Sequence, residues 1–178
     1  MAPRPGYVPA KPSGLTKGQI FALAEQVASQ LNFGPASDIH EAVRRLGGRV
    51  SVETTLLDDP EHSGSLYVNA LHNFEIIVPS HTSIVRDRFT IAHELGHYCL
   101  HYVLPRNRGE LQAERVVALR KGSNRIEWEA NWFAAAFLMP AAKFRNAMRR
   151  LNNNLSAVAR EFDVSERAVE VRAEDIGV

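Results

Sequence analysis

Phe89-Thr90-Ile91-Ala92-His93-Glu94-Leu95-Gly96-His97 sets two histidines and a glutamate inside an apolar run that Tyr98, Cys99 and Leu100 prolong. A helix through this stretch is apolar on several sides, so its ionisable residues need a chemical reason to be there. Positions i and i+4 lie one turn apart. His93 and His97 therefore project from one face and can aim an imidazole nitrogen each at a single ion, with Glu94 beside that ion rather than on it. The mechanical use of His-Glu-x-x-His is a catalytic zinc held by two histidines and a third protein ligand. The glutamate then serves as general base for a bound water whose pKa falls to about 7. With 7 His and 14 Glu among 178 residues, random shuffling yields only about 0.02 such matches. The competing interpretation, two satisfied core histidines and a surface acid, is therefore the weaker one. His101 continues the i+4 series from His97. It fits a supporting group behind a ligand, or a residue at the favourable C-terminal end of a helix, better than it fits a ligand.

A third ligand must come from elsewhere. The metzincin extension would place Gly at position 100 and His at 103, where this chain has Leu100 and Val103, so that pattern fails. A glutamate from a second helix is the other common solution. Arg125 to Pro140 reads as such a helix, and two acids begin it. Glu127 shares a face with Ala130, Asn131, Ala134 and Leu138, small or apolar residues that allow close packing on another helix. Glu129 aligns with Trp132, Phe133 and Ala136. The pattern favours Glu127 and leaves Glu129 open. Asn131, one turn after Glu127, is placed either to hydrogen-bond a metal-bound histidine or to act as an ordinary polar helix residue.

Arg88 to His97, followed by Glu127-Trp128-Glu129-Ala130-Asn131-Trp132-Phe133-Ala134-Ala135-Ala136-Phe137-Leu138-Met139-Pro140, resembles the ImmA/IrrE-type metallopeptidases. That family is associated with control of phage-type and stress-response repressors. The resemblance implies an α+β, zincin-like minimal metalloprotease domain in which His93 and His97 bind Zn2+. It also implies Glu94 as the catalytic base and a glutamate in the second block as the remaining ligand. The implied partner is a protein substrate, a helix-turn-helix repressor. The likeness extends from about residue 36 to the C-terminus and is weakest over 102–124.

The rest of the chain agrees in scale. A chain of 178 residues that is 45% hydrophobic can bury one core or one core with a small appendage. Cys99 is the only cysteine, which excludes an intrachain disulfide and a cysteine metal site. It reads as a small core residue. Residues 1–15, with Pro3, Pro5, Pro9 and Pro12 and no apolar segment, predict a disordered arm rather than a secretory signal. No run of 18 apolar residues suggests a membrane span, and cytoplasmic location is the simplest inference.

Residues 16–31 carry a helical stripe of Ile20, Leu23, Ala24, Val27 and Leu31. Ser37 or Asp38 caps a second helix that Gly47-Gly48 closes. Segments 49–53, 64–69 and 74–78 predict a short three-stranded sheet, with a hairpin between Asn69 and Asn73. The 63–69 or 74–79 strand could then take an extended substrate along its edge. Tyr67, His72 and His81 are candidates for stabilising the oxyanion. The expected organisation is an arm over 1–15, a peptidase domain over 16–140 and a helical extension over 141–178 packed on it.

In that extension Ala159-x-x-Phe162-x-Val164-Ser165-x-x-Ala168 resembles a helix-turn-helix. Between residues 165 and 176, Glu166, Glu170, Glu174 and Asp175 oppose only Arg167 and Arg172. Such a helix would meet phosphates with the wrong charge. Lys143, Arg145, Arg149, Arg150 and Arg160 precede it without acids, which leaves nucleic acid possible on that side but not favoured. The formal net charge is +1, and it does not mark a dedicated nucleic-acid binder. The alternative to proteolysis is a zinc-containing regulatory or toxin-antitoxin module that acts by binding a repressor or DNA.

Overall fold

Thr16 and Gln19 satisfy each other's backbone N–H in a capping box, and α1 (Lys17–Gln30) starts there with Ile20, Ala24 and Ala28 buried. The structure is a computed structural model that describes residues 6–35, 37–53, 65–80, 84–119 and 124–178. Asp38, not Ser37, caps α2 (Ile39–Arg45) by accepting from the His40 N–H. Gly47 follows at φ +87, where an added Cβ would lie 2.4 Å from the His72 carbonyl oxygen. Only glycine permits this turn into β2 (Gly48–Glu53).

A mixed sheet follows in the order β1 (Val8–Pro9), β5 (Val116–Leu119), β3 (Ser65–Ala70), β4 (Asn73–Pro79) and β2. β3 and β4 form the expected hairpin, and β2 runs parallel to β4. The sheet has five strands where the sequence predicts three. β5 lies antiparallel to β3, and β1 lies parallel to β5. β5 is a four-residue apolar run, too short to carry a period. β1 is held by backbone hydrogen bonds, with Val8 N–H donating to Arg115 O and Ala10 N–H to Val117 O, both at 3.1 Å, and by Tyr7, whose ring packs edge-on against Tyr67. Pro9 falls between those two donors and needs no N–H of its own. The arm expected to be disordered therefore contributes an edge strand at Val8–Pro9. β3 and β4 have strands on both sides, so neither offers the free edge expected of a substrate-binding strand.

α2 packs against β2, and the next helix against β3 and β4. α3 (Ile84–Tyr98) passes into a π-helical turn (Cys99–Val103) and then α4 (Leu104–Asn107), and α5 (Arg125–Leu138) crosses α3. Leu66 and Val68 join Ile91, Leu95 and Phe133 in one hydrophobic cluster, whereas Tyr67 lies with Ile77 and Val117 in a separate one, as strand alternation requires. The same main cluster runs on through α6 (Ala141–Arg150), α7 (Leu155–Phe162) and α8 (Glu166–Ile176). Between the last two helices Asp163 adopts the left-handed conformation, and Ser165 caps α8 by accepting from the Ala168 N–H. The α+β, zincin-like class expected from the sequence holds. No described helix is long and apolar enough to cross a membrane.

Candidate metal centre

Gly96 decides how near α5 comes to α3. A Cβ there would sit 3.1 Å from both Ala130 Cα and the Ala130 carbonyl oxygen, so a side chain would push the helices apart. Asn124 caps α5 by accepting from the Glu127 N–H, which fixes the first turn, and with it Glu127, over the two histidines. His93, Glu94, His97 and Glu127 are all buried.

Four donors meet at this crossing. His93 Nε2 and His97 Nε2 lie 3.0 Å apart, and Glu127 places one carboxylate oxygen 3.2 Å from the first and the other 3.5 Å from the second. His93, Glu94 and His97 each put a ligand atom within 4.8 Å of the others. Ligands about 2.1 Å from a tetrahedral ion lie about 3.4 Å from one another, close to the three separations found here. The group fits a metal ion.

Protonation follows from the partners. Asn131 Oδ1 lies 2.9 Å from His93 Nδ1, and an amide oxygen only accepts, so His93 carries its proton on Nδ1 and a lone pair on Nε2. The His97 tautomer depends on two further residues. Glu129 Oε2 lies 3.0 Å from His101 Nε2, and His101 Nδ1 lies 3.0 Å from His97 Nδ1. Burial raises the Glu129 pKa, but hydrogen bonds from His101, Ser13 and Arg125 outweigh it and hold the carboxyl at about 2. The carboxylate accepts from His101 Nε2–H, His101 Nδ1 accepts from His97 Nδ1–H, and the His97 lone pair is left on Nε2. Two imidazole lone pairs and a carboxylate therefore converge, an arrangement that a cation between them stabilises.

The structure separates the residues that the sequence left in competition. Glu127 faces the two Nε2 atoms, and Glu129 faces His101 instead. His101 lies on the far side of His97 from Glu127. Among the oxyanion candidates, Tyr67 points to the sheet face away from α3. His72 turns the β3–β4 hairpin, with its N–H on Tyr98 Oη and its Nδ1 on Leu46 O. His81 lies outside the described residues. Ser13 carried no signal, because a backbone N–H has no residue identity. Arg125 carried one, its i,i+4 spacing to Glu129.

The fold is a zincin-like sheet and helix pair with two histidines and a glutamate brought together at the crossing. The peptidase M78 family, described as the IrrE N-terminal-like domain, matches residues 48–174, and the chain belongs to that family. No curated protein matches the sequence. Among solved structures, a Mycobacterium tuberculosis transcriptional regulator is similar with a TM-score of 0.59 at 18% identity. The match covers 85% of this chain and 45% of that one, so this chain spans under half the length of its structural neighbour.

Proposed function

We propose that the protein is an intracellular zinc endopeptidase of the gluzincin type that cleaves a helix-turn-helix transcriptional repressor. The observation that carries this reading is the convergence of His93 Nε2, His97 Nε2 and the Glu127 carboxylate at 3.0 to 3.5 Å, with Glu94 alongside. In this reading His93, His97 and Glu127 hold the zinc. When bound, zinc acts as a Lewis acid and brings a water's pKa near 7. With zinc held there, Glu94 would be the general base, its carboxylate taking a proton from the water and passing it to the departing amine nitrogen. Asn131 fixes the His93 ring through Nδ1, as supporting groups of metal ligands do. The same donors also suit cobalt or manganese.

Two observations support a protein substrate over DNA. Several basic side chains before α8 already serve the protein, Lys143 on Phe33 O, Arg145 on Ile176 O and Arg150 on Glu161. Arg172, half of the cationic complement of α8, is fully buried. Membership of the M78 family and the likeness to a transcriptional regulator support a repressor as the target. The division into a peptidase part through residue 140 and a packed helical extension over 141–178 belongs to the same proposal.

Glu94→Gln tests the reading, because it removes the base and leaves His93, His97 and Glu127 in place. Zinc content should stay near one per chain while repressor cleavage falls by at least about a hundredfold. Relief of repression that survives Glu94→Gln would instead establish a binding module.

A further inference from the structure

Behind His97, on the side away from Glu127, runs a buried chain to which the reaction assigns no part. His97 Nδ1–H donates to His101 Nδ1, and His101 Nε2–H donates to Glu129 Oε2, each over 3.0 Å. Glu129 accepts two more donors, the Ser13 backbone N–H on Oε2 at 2.8 Å and Arg125 Nε–H on Oε1 at 2.7 Å. Both lead to the N-terminal segment. Arg125 also donates to Leu15 O at 2.6 Å, and Arg108 to Ser13 O at 3.4 Å. Ser13 is thereby held at its N–H and at its carbonyl.

This arrangement leaves little freedom at any link. His101 and Glu129 are almost fully buried, each His101 nitrogen has a partner, and each Glu129 oxygen has a donor. His101 follows the metal helix in the π-helical turn, a departure from α geometry that recurs at functional sites. The orientation of the His97 ring, and so the aim of its Nε2, is fixed from outside by a segment more than eighty residues earlier in the sequence.

We propose that His101, Glu129 and the Ser13 N–H act as one positioning chain for His97, through which the N-terminal segment sets the affinity of the metal centre. The proposal rests on His97 being a metal ligand. Supporting groups of this kind commonly contribute 10- to 100-fold in metal affinity.

Four full-length proteins test it: wild type, His101→Phe, Ser13→Pro and Ser13→Ala. The readouts are the zinc dissociation constant, by competition with a chromophoric chelator, and the visible spectrum of the cobalt(II)-loaded protein. His101→Phe keeps an aromatic ring but removes the acceptor, and zinc should bind about 10- to 100-fold more weakly. Ser13→Pro removes one N–H from a segment where Pro12 already precedes it. It should weaken zinc severalfold and perturb the cobalt spectrum. Ser13→Ala keeps the backbone N–H and removes only the hydroxyl, which accepts from the Leu15 N–H and also helps to hold Glu129, and should weaken zinc less than Ser13→Pro.

Unchanged affinities and spectra in both His101→Phe and Ser13→Pro would overturn the proposal, even if melting temperatures fell. An effect of His101→Phe with none from Ser13→Pro would remove the N-terminal segment from the chain and overturn it as stated. Wild-type protein that binds no metal would overturn the zinc reading itself, a different failure.

Discussion

Two buried ionisable clusters sit at opposite ends of α5, and they are built on opposite rules. At the C-terminal end the Arg172 guanidinium is fully enclosed. It donates to Met139 O at 3.0 Å and to Glu25 Oε1 at 2.8 Å, and it stacks 4.5 Å from the Phe21 ring. Burial lowers its pKa and Glu25 opposes the shift, so a cation there is answered by an anion, a carbonyl and a π face. At the N-terminal end His93, His97 and Glu127 present acceptors to one another. The first cluster ties α8 to α1 and to the end of α5 through an ion pair and a carbonyl, with Arg172 Nη1 left unbonded. The second brings two imidazoles and a carboxylate together at the spacing of metal ligands.

The contrast makes a double dissociation the strongest test. Glu127→Gln should leave the chain folded and cost more zinc affinity than the 10- to 100-fold typical of a supporting group, as read by metal analysis after dialysis against a chelator. Retained zinc would break the comparison, since the cluster would then not need its carboxylate. Arg172→Ala should do the reverse. It strands the Met139 carbonyl and removes the link from α8 to α1, at a cost of about 3 kcal/mol in denaturant unfolding with zinc stoichiometry unchanged. A loss below about 1 kcal/mol would show that the cluster is incidental.

Legibility in the sequence divides along the same line. The helix that carries His93 and His97, the hairpin and the cap at Asp38 are local in cause: a period, a turn or a capping residue. β1 and β5 escaped because a two-residue strand and a four-residue strand have no period. The edge-strand expectation failed with them, because β5 is the strand that covers β3. Glu129 and Glu127 differ by two positions and both are buried, so burial could not separate them. Only the crossing at Gly96 and the partner on each side could. Arg172 looked like one of two cations on an exposed helix, and its inward turn depends on Glu25 nearly 150 residues away.

Cys99 supplies a third rule and a smaller test. Its thiol is buried one residue beyond the metal helix, and with no opposite charge to offset burial it is pushed up to about 12. It therefore stays neutral and is sheltered from thiol reagents while the helix is closed. Labelling then proceeds only through opening of this region. If the convergent acceptors at His93, His97 and Glu127 repel one another without a cation, a chelator should loosen α3 locally and speed Cys99 labelling about fivefold, equivalent to about 1 kcal/mol in opening free energy. Arg172→Ala should also speed labelling, but in step with its loss of global stability and to the same degree with or without chelator. A labelling rate indifferent to the chelator in wild type would mean that the metal contributes nothing to closing its own helix, and the two clusters would then differ in what they bind but not in what they stabilise.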